Sequence, residues 1–170
     1  MQRVMRRADD TYGSSFQESM APAARHEGDK PLGELIARSG LVASNDLYAA
    51  LATSRATRRR LGDVLLEQGL IGERDLAQLV AEQESLDFVD LGKFDLDHEA
   101  VALLSERTSR KHRAIAFRSE GPATVVAVAD PADDEGLDAI VAEVPGGVRF
   151  VVATASEVDA ALAEAFGNVP

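Results

Sequence analysis

Four arginines, Arg55, Arg58, Arg59 and Arg60, stand close together in a 170-residue chain whose formal net charge is −11. A guanidinium offers a planar face with several donors, so this run is where an anionic ligand would be met. It is the one dense basic cluster. Residues 1–30 carry five basic and five acidic groups, residues 31–83 six and seven, and residues 84–170 seven and seventeen. That balance argues against broad binding to DNA or RNA, which rests on neutralising phosphates with many cations. The remaining residues able to do chemistry are dispersed. His26, His98 and His112 show no i, i+4 spacing, and the run Asp130, Asp133, Asp134 and Glu135 lacks the glycine and alternating oxygens of a calcium loop. There is no Gly-x4-Gly-Lys-Ser/Thr, no dinucleotide glycine fingerprint and no Gly-x-Ser-x-Gly elbow. With no cysteine, disulfides, thiol nucleophiles and cysteine zinc sites are excluded. The expectation is a protein without catalytic residues, metal ligands or a cofactor.

The elements that would position the arginine run come from a repetition. "PLGELIARSGLVASNDLYAALATS" (31–54) and "RLGDVLLEQGLIGERDLAQLVAEQ" (60–83) align without gaps at a period of 29 residues. They share Leu32/Leu61, Gly33/Gly62, Gly40/Gly69, Leu41/Leu70, Asp46/Asp75, Leu47/Leu76 and Ala52/Ala81. Within each copy, apolar residues at helical spacing precede a glycine that suits a helix stop, and a second apolar series follows. Ser44 is expected to cap that second helix in the first copy, and the matching helix of the second copy is expected to start near Glu73. Two copies are too few for a solenoid, so the prediction is a pseudo-symmetric pair of helical hairpins.

Beyond Gln83 the texture changes. A strand is expected at 86–91, a short helix after Asp97, and strands at 113–119 and 123–130 around a turn at Glu120, Gly121 and Pro122. Asp130 and Pro131 are expected to open an acidic-ended helix. "GGVRFVVAT" predicts another strand, and a last helix is expected to be capped by Ser156 and stopped at Gly167. The fold class is α+β: tandem helical hairpins at 31–83, then a small α/β layer at 84–170 whose helices cover one face of a three- or four-stranded sheet. Residues 1–30 read as a flexible arm. No apolar run approaches the roughly 18 to 20 residues of a membrane span, and no signal peptide is evident. The expectation is a cytoplasmic protein with no membrane insertion.

The second copy, its weaker predecessor and the downstream "FVDL", "VAVADP" and "LDAIVAE" resemble the N-terminal domain of the type II secretion and type IV pilus assembly ATPases, the MshEN or GspE/PilB N-terminal family. The similarity covers about Pro31 to Gly167. The family pattern is a tandem pair of RLGxxLxxxGxxxxxxLxxxLxxQ motifs with a five-residue spacer, here Arg55 to Arg59. The resemblance implies binding of cyclic di-GMP, as a regulatory ligand rather than a cofactor, and association with secretion or pilus assembly proteins. Carried over by position, the binding set is Leu32, Gly33, Leu35, Gly40, Leu47 and Leu51 from the first copy. The second copy supplies Arg60, Leu61, Gly62, Leu65, Gly69, Leu76 and Gln83. Arg60 would meet a guanine or phosphate, Gly62 would admit close backbone approach, and Leu61 and Leu65 would form an apolar bed. Pro31 and Ser54 stand where Arg and Gln are expected, so the first copy keeps its scaffold and loses its polar contacts. Two readings follow: a cyclic di-GMP sensor, or a protein-interaction module of the same fold without the nucleotide. Family members continue into an ATPase, and with the chain ending at Pro170 the expectation is a free-standing regulator.

Overall fold

The computed structural model describes residues 31–167, so the expected N-terminal arm lies outside the described residues. Each copy of the repeat forms two helices: α1 (Leu32–Ser39) and α2 (Ser44–Thr57), then α3 (Leu61–Glu67) and α4 (Glu73–Gln83). The repeated glycines stop the first helix of each pair. Gly40 and Gly69 have φ of +70° and +66°, a left-handed conformation that costs least without a Cβ. Behind α3, Leu70 N–H donates to Leu65 C=O at 2.9 Å and Gly69 N–H to Leu66 C=O at 3.0 Å, which satisfies the last carbonyls of the helix. The α2 start differs from expectation. Ala43 is the N-cap and Ser44 already lies inside the helix, so no side chain caps it.

The hairpins interlock crosswise, α1 against α4 and α2 against α3. Leu35, Ile36, Val42, Leu47 and Ala50 of the first copy meet Val64, Leu65, Ile71, Leu76 and Leu79 of the second in one buried cluster. Each such Leu, Ile or Val contributes about 1.5–3 kcal/mol by leaving water, so neither hairpin can spare the other.

The rest of the chain runs β1 (Asp87–Phe88), a 3₁₀ turn (Leu91–Lys93), α5 (His98–Val101), α6 (Glu106–Lys111), β2 (Ala114–Glu120), β3 (Ala123–Val128), α7 (Asp134–Glu143), β4 (Gly147–Val152) and α8 (Ala155–Phe166). The strands form one four-stranded sheet in the order β1-β4-β3-β2. The β2/β3 pair is antiparallel, while β3/β4 and β4/β1 are parallel. Helices cover both faces of this sheet rather than one. In β3, Val125 and Ala127 join α8 through Val158 and Leu162, whereas Val126 and Val128 join α7 through Ile140 and Val144. The reason is legible in the strand itself, since all six residues of β3 are buried and no polar alternation leaves a wet face.

Two helix starts also differ from expectation. Asp133, not Asp130, caps α7 by accepting from Gly136 N–H at 3.0 Å. Thr154, not Ser156, caps α8 in a reciprocal capping box with Glu157. In both cases the expected residue is engaged elsewhere. Asp130 faces Arg60, and Ser156 donates through its N–H and Oγ to Glu73 at 2.9 and 2.7 Å.

Candidate functional site

Arg60 is the N-cap residue of α3, with extended backbone (φ −65°, ψ 140°) that swings its side chain off the helix. The guanidinium reaches the loop between β3 and α7 and grips Asp130 with both terminal nitrogens, Nη2 to Oδ1 at 3.0 Å and Nη1 to Oδ2. The carboxylate is itself held, because Asp130 Oδ1 accepts Ala132 N–H at 3.1 Å. Such a turn fixes an aspartate without outside help. Asp130 raises the affinity of Arg60 for its proton by that hydrogen bond and by charge, against partial burial, and Asp63 and Glu84 add to the effect. The result is a permanently charged, oriented, planar group with 58% of its side chain exposed. The negative charges of Asp130, Asp63 and Glu84 make it better suited to a base face or edge than to a lone phosphate.

The two Leu-Gly starts lie side by side. A Cβ built on Gly33 would stand 3.6 Å from Leu61 Cδ2 and 3.6 Å from Leu51 Cδ2. Leu32, Leu51 and Leu61 are half-buried around the helical core, so each keeps an apolar surface turned outward. Gln83 is half-buried at the C-terminal end of α4.

The other expected ligand residues serve the interior. Leu35, Leu47, Leu65 and Leu76 are buried in the helical cluster and Gly62 is buried at the α3–α4 contact. A Cβ on Gly62 would meet Leu76 Cδ2 at 3.1 Å, so its lack of a side chain admits a leucine. Gly40 and Gly69 are exposed helix stops, and a Cβ added at either would meet nothing within 4 Å. In the first copy, Pro31 provides no cation, and the Ser54 hydroxyl donates to Arg59 C=O at 2.6 Å, which closes the end of α2. Asp130, a helix opener by its sequence context, is instead the partner of Arg60, 70 residues away.

The second copy also ties the helices to the sheet. Arg74 bonds Asp90 at 2.9 Å and Glu157 at 3.3 Å and lies over the Phe88 ring at 5.6 Å. The outer face of α4 seats Ala77 and Ala81 on Val152 of β4. Among the described residues no group of three or more His, Asp or Glu is placed to hold a metal ion, and no helix is long and apolar enough to cross a membrane.

Comparison with known proteins gives the geometry a context. A structure described as MshE with cdg, an abbreviation of cyclic di-GMP, matches with a TM-score of 0.72 at 33% identity. The match covers 81% of this chain and 99% of that one. The type IV pilus assembly ATPase PilB of Thermus thermophilus is 33% identical over 115 residues, 66% of this chain and 13% of its own length. PilB of Myxococcus xanthus is 27% identical over 107 residues, 63% of this chain and 19% of its own length. The chain therefore spans less than a fifth of these relatives, and the region shared with them is not the whole of either. The family model for the MshEN domain matches residues 84–169, just over half of the chain, and this makes the chain a member of the MshEN domain family.

Proposed function

We propose that this chain is a non-catalytic regulatory module that binds cyclic di-GMP at the adjoining starts of α1 and α3 and works in the cytoplasm beside secretion or pilus assembly proteins. One observation carries the reading: the repeat brings Leu32, Leu51 and Leu61 together around Gly33, and the same helix start holds Arg60 fixed by Asp130. A two-fold nucleotide with two purines matches a two-fold arrangement of apolar side chains. The leucines supply a bed for the bases, and the flat guanidinium supplies stacking or a bidentate edge contact worth about 1–3 kcal/mol. Asp130 is a positioning residue in this scheme. The second reading, an interaction module without nucleotide, is favoured by Pro31 and by the inward use of the Ser54 hydroxyl.

Titration of the full chain with cyclic di-GMP, read by calorimetry and thermal shift, separates the two. Ligand at about a hundredfold over its Kd is expected to stabilise the fold by about 2.7 kcal/mol, a rise in Tm of roughly 5–10 °C. Arg60→Ala should remove most of that rise, while Arg110→Ala, whose side chain is occupied by Glu106 and Gly167, should leave it intact. No shift at about a hundred micromolar ligand, a hundredfold over a micromolar Kd, would sink the sensor reading and leave the interaction module standing.

A further inference from the structure

α2 carries an outward face that the other described residues leave uncovered. Tyr48 is 72% exposed, and Ala49, Ala52, Arg55 and Ala56 follow along the exposed side of the same helix. The equivalent face of α4 is covered, since Ala77 and Ala81, the counterparts of Tyr48 and Ala52, sit on Val152. A tyrosine in place of that first alanine is too bulky for the same seat, so the first copy's face is shaped for a different occupant.

A complementary surface exists on α7. That helix buries Gly136 and Ile140 and turns Asp138 and Val141 outward, the valine 54% exposed. Read forward, α2 presents Tyr48, Ala52 and Arg55; read backward, α7 presents Val141 and then Asp138. Both series step by about one helical turn, apolar at one end and charged at the other, with opposite signs. Laid antiparallel with Tyr48 over Val141, Ala52 stands opposite Asp138, and Arg55, one turn further on, reaches Asp138 because its side chain leans back towards the N-terminus of α2. Within one chain α2 packs on α1 and α3, and α7 on α6 and the sheet, so the two faces can meet only between copies. The acidity of residues 84–170, seventeen acidic against seven basic groups, adds long-range attraction for the arginine-rich end of α2.

We propose that the Tyr48–Arg55 face of α2 docks antiparallel on the Asp138–Val141 face of α7 in a second copy of this chain. The contact joins unlike surfaces, so it propagates into a ring or an open chain rather than closing as a two-fold dimer. One helix pair buries less than the roughly 1,200 Å² of a stable interface, which makes the association weak and reversible. Its charged part is screened by salt, with a Debye length of about 10 Å at 0.1 M. The proposal does not depend on nucleotide binding.

Sedimentation equilibrium of the full chain tests it, between about 10 µM and 1 mM, the range in which a weak contact of about −4 to −7 kcal/mol fills. The weight-average mass is expected to climb above the monomer with concentration, and to climb less when salt is raised well beyond 0.1 M. Tyr48→Ser, Arg55→Glu and Asp138→Arg alter exposed side chains, so the variants should keep the parent far-UV circular dichroism and associate at least about tenfold more weakly, a change of 1.4 kcal/mol. Mixing Arg55→Glu with Asp138→Arg should restore association, because each variant keeps the half that the other has lost and the two changed residues attract. A parent that stays monomeric throughout, charge variants that associate like the parent, or a mixture that fails to recover would each overturn the proposal.

Discussion

Arg60 and Asp130 keep 58% and 36% of their side-chain surface in water, and exposed ion pairs contribute about 0–1 kcal/mol. Arg60→Ala is therefore expected to lower Tm by no more than about 4 °C, while removing the response to cyclic di-GMP proposed above. Asp130→Asn should weaken that response about tenfold, or 1.4 kcal/mol, because an amide orients the guanidinium less firmly. Equal losses of stability and binding in the two variants would assign the pair to the fold alone. Gly62 behaves in the opposite way. Its Cβ position lies 3.1 Å from Leu76, so Gly62→Val should destabilise by about 1–3 kcal/mol through overpacking, measured by urea unfolding. Restoring the missing polar residue with Pro31→Arg should tighten ligand binding. Unchanged affinity there would refute the account of the first copy as polar-deficient. At this scale the sequence singles out Arg60 as a candidate but gives no sign of its partner Asp130, since local spacing carries no trace of a contact across 70 residues. It also grouped Leu35, Leu47, Leu65 and Leu76 with the ligand, because a helix pair that packs and a helix pair that binds both repeat leucine at the same interval.

The helices of the repeat and those of the sheet layer start in different ways. No side chain caps α1, α2, α3 or α4, whereas Asp97, Ser105, Asp133 and Thr154 cap α5, α6, α7 and α8. Placing an acceptor at the vacant α2 position, Ala43→Ser, should gain about 0.5–1 kcal/mol, and Thr154→Ala should lose about 1–2 kcal/mol, both read by thermal melts. The acidic caps also set a pH dependence. The His112 ring, bonded to Asp133 at 2.7 Å, holds that carboxyl below its usual range, with the Gly136 N–H and the charges of His112 and Lys111 assisting and partial burial opposing. Glu143 is lowered in the same way by the Thr108 hydroxyl and by Ser105. A depressed carboxylate stabilises the fold above its unfolded pKa, near 4, and the stabilisation is lost as pH falls through the folded-state value. Tm should accordingly hold between about pH 7 and 5 and drop below about pH 4, with a smaller drop in Asp133→Asn. Most element types were legible because period and glycine placement are local signals, but α6 (Glu106–Lys111) was not expected, and the strand expected at 86–91 is only Asp87–Phe88. The caps of α7 and α8 were displaced by three and two residues where a neighbouring element claimed the expected side chain, which no one-dimensional pattern encodes.

Across the whole molecule, α4 belongs to two interiors at once. Leu76 and Leu79 enter the helical cluster, while Ala77 and Ala81 rest on the sheet. Unfolding residues 84–167 would strip one side of α4, so heat and urea are expected to give a single transition with coincident circular dichroism and fluorescence-dye signals. Two separated transitions would show that the α4 contacts couple the layers weakly. The sheet order β1-β4-β3-β2 was not readable beforehand, since pairing of β1 with β4 joins residues 87 and 151 and depends on what α4 and α8 bring together.

The attachment of the second copy to the sheet, through Arg60, Arg74, Glu73 and the alanine face of α4, gives the two halves of the repeat unequal freedom to vary. A substitution in the second copy meets two sets of neighbours, and in the first copy mostly one. In a library of all single replacements selected for folded protein, positions 60–83 should reject more amino acids than their partners 29 residues earlier. Pro31 and Ser54 are then read as marks of relaxed constraint, spellings that the unanchored hairpin can absorb and the anchored one cannot.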